Sequence, residues 1–299
     1  MALKYKIKIS GITGDEKLNE VIDWTINDAD LEKDHSLAAG ATSAVLTIKG
    51  HMQESAGNEY QGLSLDGIAV TVYATQDTVE SDSHDNQYDK NATYPVATID
   101  ELQDALREHG NVSLGKDVDP ETALTATSKT TLDVNGKTIK NTKDVWEADP
   151  NSWSLISARG TEAELTITGN GTFQAKANDC YAVDVQDGAK VVIKNGTFTG
   201  NIHAVYVFEG EAVIEGGFFS VQQKYPDAAK ADEFVLNCYD ANHANGTAKI
   251  TVKGGTFVNF NPADCQAEGA HTNFVADGYK VTSETKANGD VWYTVEKAN

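Results

Sequence analysis

The stretch Val191-Val-Ile-Lys-Asn-Gly-Thr-Phe198 decides the predicted fold, because its strand–glycine–Phe pattern occurs four times in the chain. The other copies are Leu165–Phe173, Ala212–Phe219 and Ile250–Phe257. The first three Phe residues recur at intervals of roughly 20–25 residues, a period typical of stacked structural repeats. The last interval is longer, which indicates a repeat that carries an insertion. Since one repeat cannot bury its apolar face alone, we expect the repeats to stack around a common core.

A second repeat fixes the register between neighbouring repeats. Ala182–Gly188 aligns with Ala204–Gly210 through matching Ala, Val, Val, acidic and Gly positions. This match places Asp184 beside Tyr206 and Asp187 beside Glu209 on adjacent strands. The columns expected inside the core are Phe173, Phe198, Phe219 and Phe257; Val183 with Val205; Val185 with Val207; and Ile167, Ile193, Ile214 and Val252.

The segment before the repeats predicts a helix that covers one end of the stack. Thr98-Ile-Asp-Glu101 is a capping box, and the apolar spacing after it indicates a short helix over 98–109. A strand pattern follows at Thr131–Ile139, and Val281–Val295 carries the hairpin signal Asn288-Gly289. The helix followed by Leu-Asp-Val-Asn-Gly-Lys-Thr-Ile resembles the entry into right-handed parallel β-helix domains of the pectin-lyase type. The hairpin is expected to close the far end, and Pro226–Ala248 to be an inserted loop or a longer repeat.

The N-terminal region has a different pattern. Lys4–Ile9 and Ile68–Tyr73 alternate apolar and polar residues, as strands do. We expect a turn at Gly11–Gly14, a polar loop at Asp28–Gly40 and a strand at Val45–Ile48.

This region also carries a family resemblance. Lys4–Gly14, Val21–Trp24 and Ala56-Gly-Asn-Glu-Tyr-Gln-Gly62, with Ala74–Gln76 and Glu80–Ser83, resemble the TasA/camelysin family. That family comprises secreted β-sandwich proteins of Gram-positive bacteria, some of which form biofilm-matrix fibres, while one branch carries a metallopeptidase label. The resemblance implies an extracellular or cell-surface protein.

The resemblance also suggests a domain that starts in its middle. In the family, a signal peptide and the first sandwich strands precede the segment that corresponds to Lys4–Ile9, and here only Met1-Ala-Leu precedes it. The expected fold class is therefore all-β: a partial β-sandwich at 1–90, a linker at 91–97, and a right-handed parallel β-helix at 98–299. Open strand edges attract further strands, so we expect residues 1–90 either to be poorly ordered or to pair with other copies of the chain.

Composition excludes several classes of function. The net charge is −21 and the only arginines are Arg107 and Arg159, a balance that repels nucleic-acid phosphates. No apolar run approaches the roughly 20 residues that span a bilayer. Hydrophobic residues make up 40% of the chain, enough for a folded core.

Metal and thiol chemistry have weak signals. Cys180, Cys238 and Cys265 form no zinc-ligand spacing, so no zinc site and no cofactor are predicted. Buried free thiols are the default for these cysteines, and a disulfide between adjacent repeats is the alternative. The polar segment that follows Gln76 is either a calcium site or a solvated acidic loop. Its candidate calcium ligands are Asp77, Glu80, Asp82 and Asp85.

Two kinds of function remain. Asp184, Asp187 and Glu209 are the candidate catalytic carboxylates of a glycoside hydrolase acting on neutral glycans, although polar residues are common at such turns. Tyr181, Tyr206, Phe208 and Tyr225 are the candidate ligand-binding residues, since aromatic rings stack on sugar faces. The leading hypothesis is a non-catalytic surface or matrix protein whose β-helix acts as a rigid spacer or an adhesive, glycan-binding surface. The carbohydrate-active enzyme is the alternative.

Overall fold

The chain is mostly β-strand and divides into two units, Met1–Pro95 and Val96–Asn299. A computed structural model describes residues 2–27, 29–30, 33–43, 45–76, 95–143, 153–223 and 234–298. In the described part of the chain, no helix is long and apolar enough to cross a membrane.

The first unit contains two three-stranded antiparallel sheets. The sheets have the strand orders β4-β1-β6 and β3-β2-β5. Ile7 of the first sheet and Ile26 of the second are buried in one cluster, with Trp24 and Leu46 packed against it. The strands are β1 (Leu3–Gly14), β2 (Ile22–Ile26), β3 (Ala29–Asp30), β4 (His35–Leu37), β5 (Ile48–Met52) and β6 (Leu65–Gln76), and the 3-10 helices are Glu16–Glu20 and Asn58–Tyr60.

Several local predictions for this unit are wrong. Gly11–Gly14 is not a turn but the end of β1, where the pairing with β6 shifts register. The strand predicted at Val45–Ile48 lies instead at Ile48–Met52, because β2 pairs there, and Val45 is 89% exposed. The predicted loop at Asp28–Gly40 contains β3 and β4. β1, β5 and β4 pair with strands distant in the sequence, whereas β3 pairs locally with β2. In each case backbone pairing overrides the local residue pattern.

The second unit is built from three sheets that the chain visits in turn. We call one pass through all three sheets a round. The first sheet has the order β7-β8-β10-β13-β16-β19-β22, the second β11-β14-β17-β20-β23-β25-β24, and the third β9-β12-β15-β18-β21. The elements are β7 (Pro95–Val96), α1 (Ile99–Arg107), β8 (Gly110–Leu114), β9 (Leu124–Ala126), β10 (Lys129–Asp133), β11 (Thr138–Lys140), β12 (Ser154–Arg159), β13 (Glu164–Thr168), β14 (Thr172–Gln174), β15 (Tyr181–Gln186), β16 (Ala189–Ile193), β17 (Thr197–Gly200), β18 (His203–Val207), β19 (Gly210–Ile214), β20 (Phe218–Val221), β21 (Leu236–Cys238), α2 (Asp240–Asn245), β22 (Ala248–Val252), β23 (Gly255–Val258), β24 (Tyr279–Thr285) and β25 (Val291–Lys297).

The strands of successive rounds pair in parallel and in register. The predicted Phe column is confirmed: Phe173, Phe198, Phe219 and Phe257 face one another on β14, β17, β20 and β23 and are fully buried. Their ring centroids lie 4.7, 5.1 and 5.0 Å apart, in stacked geometry. The predicted pairings of the Val column in β15 and β18, and of the Ile column from β13 to β22, are confirmed too.

Glycine before each Phe allows the rounds to approach closely. Gly196 and Gly217 have φ values of 122° and 113°, which side chains with a Cβ rarely adopt. A Cβ on Gly217 would also lie only 3.0 Å from the carbonyl oxygen of Gly196 in the preceding round. The repeated glycine is thus required both by backbone conformation and by the spacing of the rounds.

Both ends of the stacked core are covered. The capping box of α1 is confirmed, with the Glu101 backbone N–H donating to Thr98 Oγ1, although the helix ends at Arg107. Leu102 and Leu106 of α1 are fully buried in the core. At the other end, the predicted hairpin is confirmed as β24 and β25, which extends the second sheet by antiparallel pairing.

The predicted linker needs correction, whereas the described part of Pro226–Ala248 fits the expected longer repeat. Pro95–Val96 of the linker is strand β7 of the first sheet. The backbone N–H of Ala97 donates to Glu101 Oε2 at 3.0 Å, so this residue too is tied to the second unit. The described part of the insertion contains β21, a regular member of the third sheet, followed by α2. Residues 91–94 and 224–233 lie outside the described residues.

The Phe column generates a stability prediction. Phe198→Ala removes the second ring of the stack and should lower the free energy of unfolding by about 3–5 kcal/mol, because a cavity replaces a fully buried ring. Urea denaturation measures the loss. Thr199→Ala is the control, since Thr199 is half-buried and its hydroxyl contacts only Ser220 Oγ at 3.2 Å, worth about 1 kcal/mol. Equal losses in both variants would contradict a core organised by the Phe column.

Candidate functional site

The third sheet carries the densest group of polar and aromatic side chains. Strands β12, β15, β18 and β21 alternate their side chains between the core and the opposite face. The core positions hold Val183, Val205 and Leu236 in register. The opposite face holds a column in which Ser157, Asp184, Tyr206 and Asn237 follow one another. The register predicted for Asp184 and Tyr206 is therefore confirmed.

Aromatic rings form two stacks on this face. The Tyr181 ring lies 4.6 Å from the Tyr206 ring and 5.3 Å from the His203 imidazole, so the three rings cover one another's faces. Phe208 and Tyr239 form the second stack, with centroids 4.9 Å apart. This second pair is more exposed, at 38% and 43%, and offers free ring surface to a ligand.

Asp184 lies next to Tyr206 in this column and is fully buried. Its Oδ2 accepts hydrogen bonds from Ser157 Oγ at 3.3 Å and from Gln186 Nε2. Burial raises its pKa to about 6, although the bonds from Gln186 and Ser157 and the charge of Arg159 oppose this shift. Its Oδ1 and the Nη2 atom of Arg159 are buried without a hydrogen-bond partner. A carboxylate this deeply enclosed cannot contact a polysaccharide, so Asp184 is a poor catalytic candidate.

His203 is held as a neutral imidazole. Nδ1 lies 2.6 Å from the carbonyl oxygen of Phe234, to which it donates, and Nε2 accepts from Asn237 Nδ2 at 3.2 Å. Burial lowers the pKa of His203 to about 4. Burial and the neighbouring Asp184 carboxylate raise the pKa of Tyr181 to about 12, so its hydroxyl remains protonated.

A cavity of about 340 Å³ opens beside His203 and Asn237. Asp179, Gln223 and Phe234 also line it. Gln223 Oε1 and Asn237 Oδ1 are buried atoms that no described residue hydrogen-bonds, so both can accept a bond from a ligand hydroxyl. The volume lies at the lower end of the range of small-molecule pockets. A larger cavity of about 500 Å³ near Lys129 and Glu164 has no Phe, Tyr or Trp among its described lining residues.

The other predicted site residues are dispersed. Asp187 is exposed and Glu209 half-buried, and they lie on neighbouring rounds, where the backbone N–H of Gly188 donates to the carbonyl of Glu209. Tyr225 lies outside the described residues, as do all four candidate calcium ligands, Asp77, Glu80, Asp82 and Asp85. Cys180, Cys238 and Cys265 are all free and buried, the default expected for them.

Sequence reasoning missed three members of this group: His203, Asn237 and Tyr239. The repeat places His203 in register with Tyr181, but a single histidine at that position did not indicate a site. Asn237 and Tyr239 follow the long insertion, so the repeat did not align them with earlier rounds. The pairing of Leu236–Cys238 with Val205–Val207 reveals the positions of Asn237 and Tyr239, but this match is recognised only when β21 is seen beside β18.

Comparison with known proteins adds no assignment. No protein-family model, no curated protein and no solved structure matches this chain.

The two buried titratable groups predict opposite effects of pH on stability. The folded-state pKa of Asp184 is about 6 against an ordinary value of 3.8, so its ionisation lowers stability as pH rises from about 4 to 6. The folded-state pKa of His203 is about 4 against 6.5, so its contribution raises stability over nearly the same window. Each effect amounts to about 3 kcal/mol, and in the native protein they largely cancel.

Replacing one of the two residues at a time should therefore reveal how the other makes stability depend on pH. Compared with the native protein, Asp184→Asn should gain stability between pH 4 and 6.5, whereas His203→Gln should lose it. Urea denaturation at both pH values measures this change. His109→Gln, at an exposed histidine, is the control and should leave the profile unchanged. Slopes of the same sign in the two variants would contradict the assignment.

Proposed function

We propose that the second unit is a right-handed parallel β-helix and that this protein is a non-catalytic extracellular surface or matrix protein with a glycan-binding face. The regular cycle of β10 to β23 through three parallel sheets supports the β-helix. Each round adds one strand to each sheet, so the structure is suited to a rigid spacer. The resemblance of the first unit to the TasA/camelysin family supports the extracellular location.

The observation that carries the glycan-binding proposal is the exposed Phe208–Tyr239 stack on the face that also holds the cavity beside Asn237. Aromatic faces bind the apolar faces of sugar rings, and unpaired amide oxygens accept bonds from sugar hydroxyls. The net charge of −21 disfavours anionic polysaccharides, so the expected ligand is a neutral glycan.

Substitution of the exposed ring tests this proposal. Tyr239→Ala should weaken binding to neutral glycans by roughly two- to twelvefold, since an aromatic stacking contact is worth roughly 0.5–1.5 kcal/mol. A neutral-glycan array identifies a ligand, and calorimetry with that ligand measures the loss. Trp292→Ala is the matched control, because this ring packs against Phe218 on the second sheet.

The same array distinguishes the enzymatic alternative. Release of new reducing ends from a bound glycan, abolished by Asp187→Asn or Glu209→Gln, would replace the binding function with glycoside hydrolysis. Absence of any glycan binding, or equal losses in Tyr239→Ala and Trp292→Ala, would refute the proposed binding face.

We further propose that the first unit pairs with another copy of the chain through β6. This strand is at the edge of its sheet among the described strands, so one side of its backbone has no strand partner there. Ile68, Val70 and Val72 are 47%, 52% and 59% exposed and form an apolar row along it. They share a face with Ile7 and Ile9 of β1, so the apolar surface continues from the buried cluster to the open edge. Such an edge favours the addition of another strand.

Charges placed on this edge should prevent self-association. Val70→Lys combined with Val72→Lys should weaken it by on the order of tenfold or more, because Lys residues protect edge strands from pairing. Light scattering coupled to size exclusion measures the mass. Ser283→Lys, an exposed position on edge strand β24, is the control. A native chain that stays monomeric at all accessible concentrations would contradict the proposal.

A further inference from the structure

Three potential metal ligands of different chemical types converge near the end of the third sheet. Cys238 is the last residue of β21, His243 lies in α2, and Glu268 follows in the loop before β24. One ligand atom from each of these side chains lies within 4.8 Å of the other two. This group shares no residue with the aromatic stacks or with the lining of the cavity beside Asn237.

The hydrogen bonds of this group leave ligand atoms free. The backbone N–H of Cys238 donates to Glu268 Oε1 at 2.6 Å, which fixes the carboxylate beside the thiol. Among the described residues, the Cys238 thiol is the one side-chain partner of this carboxylate, and its buried Oε2 and the buried Nδ1 of His243 make no regular hydrogen bond. Buried polar atoms are rarely left unpaired, so two of them beside one thiol indicate a missing partner.

The identity of the ligands indicates which partner fits. A thiolate, an imidazole nitrogen and a carboxylate oxygen are the ligand types of Zn²⁺, whereas Ca²⁺ and Mg²⁺ prefer oxygen ligands alone. Tetrahedral zinc with ordinary bond lengths would place these atoms about 3.4–3.6 Å apart, so small side-chain rotations suffice. Asp240, the first residue of α2, adds another negative charge beside Glu268.

The burial of the three residues is also suited to a metal site. Cys238 is buried in the core, where it continues the column of Val185 and Val207. His243 and Glu268 are half-buried and leave the group within reach of solvent. The backbone bond to Glu268 Oε1 corresponds to the supporting bonds that orient metal ligands in known sites.

From this geometry we propose that Cys238, His243 and Glu268 form a binding site for Zn²⁺ or a similar borderline-soft divalent ion. Three protein ligands leave the fourth position of a tetrahedral ion open to water, as in catalytic zinc sites. The Cys–His spacing along the chain differs from that of zinc motifs, which explains why the sequence did not predict the site.

The full chain, stripped with a chelator and dialysed, tests this proposal. It should bind one equivalent of Zn²⁺ in calorimetry and, with Co²⁺, should show the thiolate-to-metal charge-transfer absorption that requires a cysteine ligand. Cys238→Ser and His243→Ala should each lower zinc affinity by more than the roughly 10–100-fold that loss of a supporting residue costs. Glu268→Gln keeps the side chain's shape and should also weaken binding.

Two control variants keep the result unambiguous. Cys265→Ser removes another buried thiol, and His271→Ala an exposed histidine paired with Asp264, so both should bind zinc as the native chain does. Circular dichroism and thermal melting establish that each variant is folded, and Glu268→Gln provides the test if Cys238→Ser does not fold. Substoichiometric binding, absence of the charge-transfer band, or equal affinity in native chain and Glu268→Gln would overturn the site.

Discussion

The second unit depends on the in-register stacking of like side chains between parallel strands. A Phe in one round packs on the Phe of the next at 4.7–5.1 Å, close to the spacing between paired strands. The same distance between rounds therefore allows the rings to stack and the backbones to form hydrogen bonds. This coincidence requires a residue without a side chain at the turn before each Phe, which explains why glycine and Phe repeat together.

Because the core of each round is supplied by its neighbours, the two ends need separate solutions. At one end α1 inserts Leu102 and Leu106, and the side chain of Gln103 forms two hydrogen bonds with the backbone of Thr125 in β9. At the other end, β25 pairs antiparallel with β23, the last parallel strand of the second sheet. Phe260 packs next to the last ring of the Phe column. Both devices cover apolar surface at the ends of the core that would otherwise attract another chain.

Repetition also determines how much the sequence could predict. The columns of Phe, Val and Ile side chains followed from the repeat, because an interior position tolerates little change of size and so keeps its residue type. The strands of the first unit were placed less well, since Ile48–Met52 is defined by pairing with β2 rather than by its own alternation. Cys238, His243 and Glu268 were missed because two connections of irregular length bring them together, and such contacts leave no periodic signal.

The same contrast explains where chemistry is concentrated in the second unit. Core positions on the third sheet keep one type, Val183, Val205 and Leu236, whereas the opposite face changes from Ser157 to Asp184, Tyr206 and Asn237. The connections into this sheet also vary in length, short from Gly200 to His203 but long from Val221 to Leu236. Stacking constrains neither the side chains on the opposite face nor the lengths of the connections. Residues at these positions can therefore vary without loss of the core. Departures from the repeat therefore mark the positions where binding residues can accumulate, and the aromatic stacks, the cavity and the proposed zinc ligands all lie at such departures.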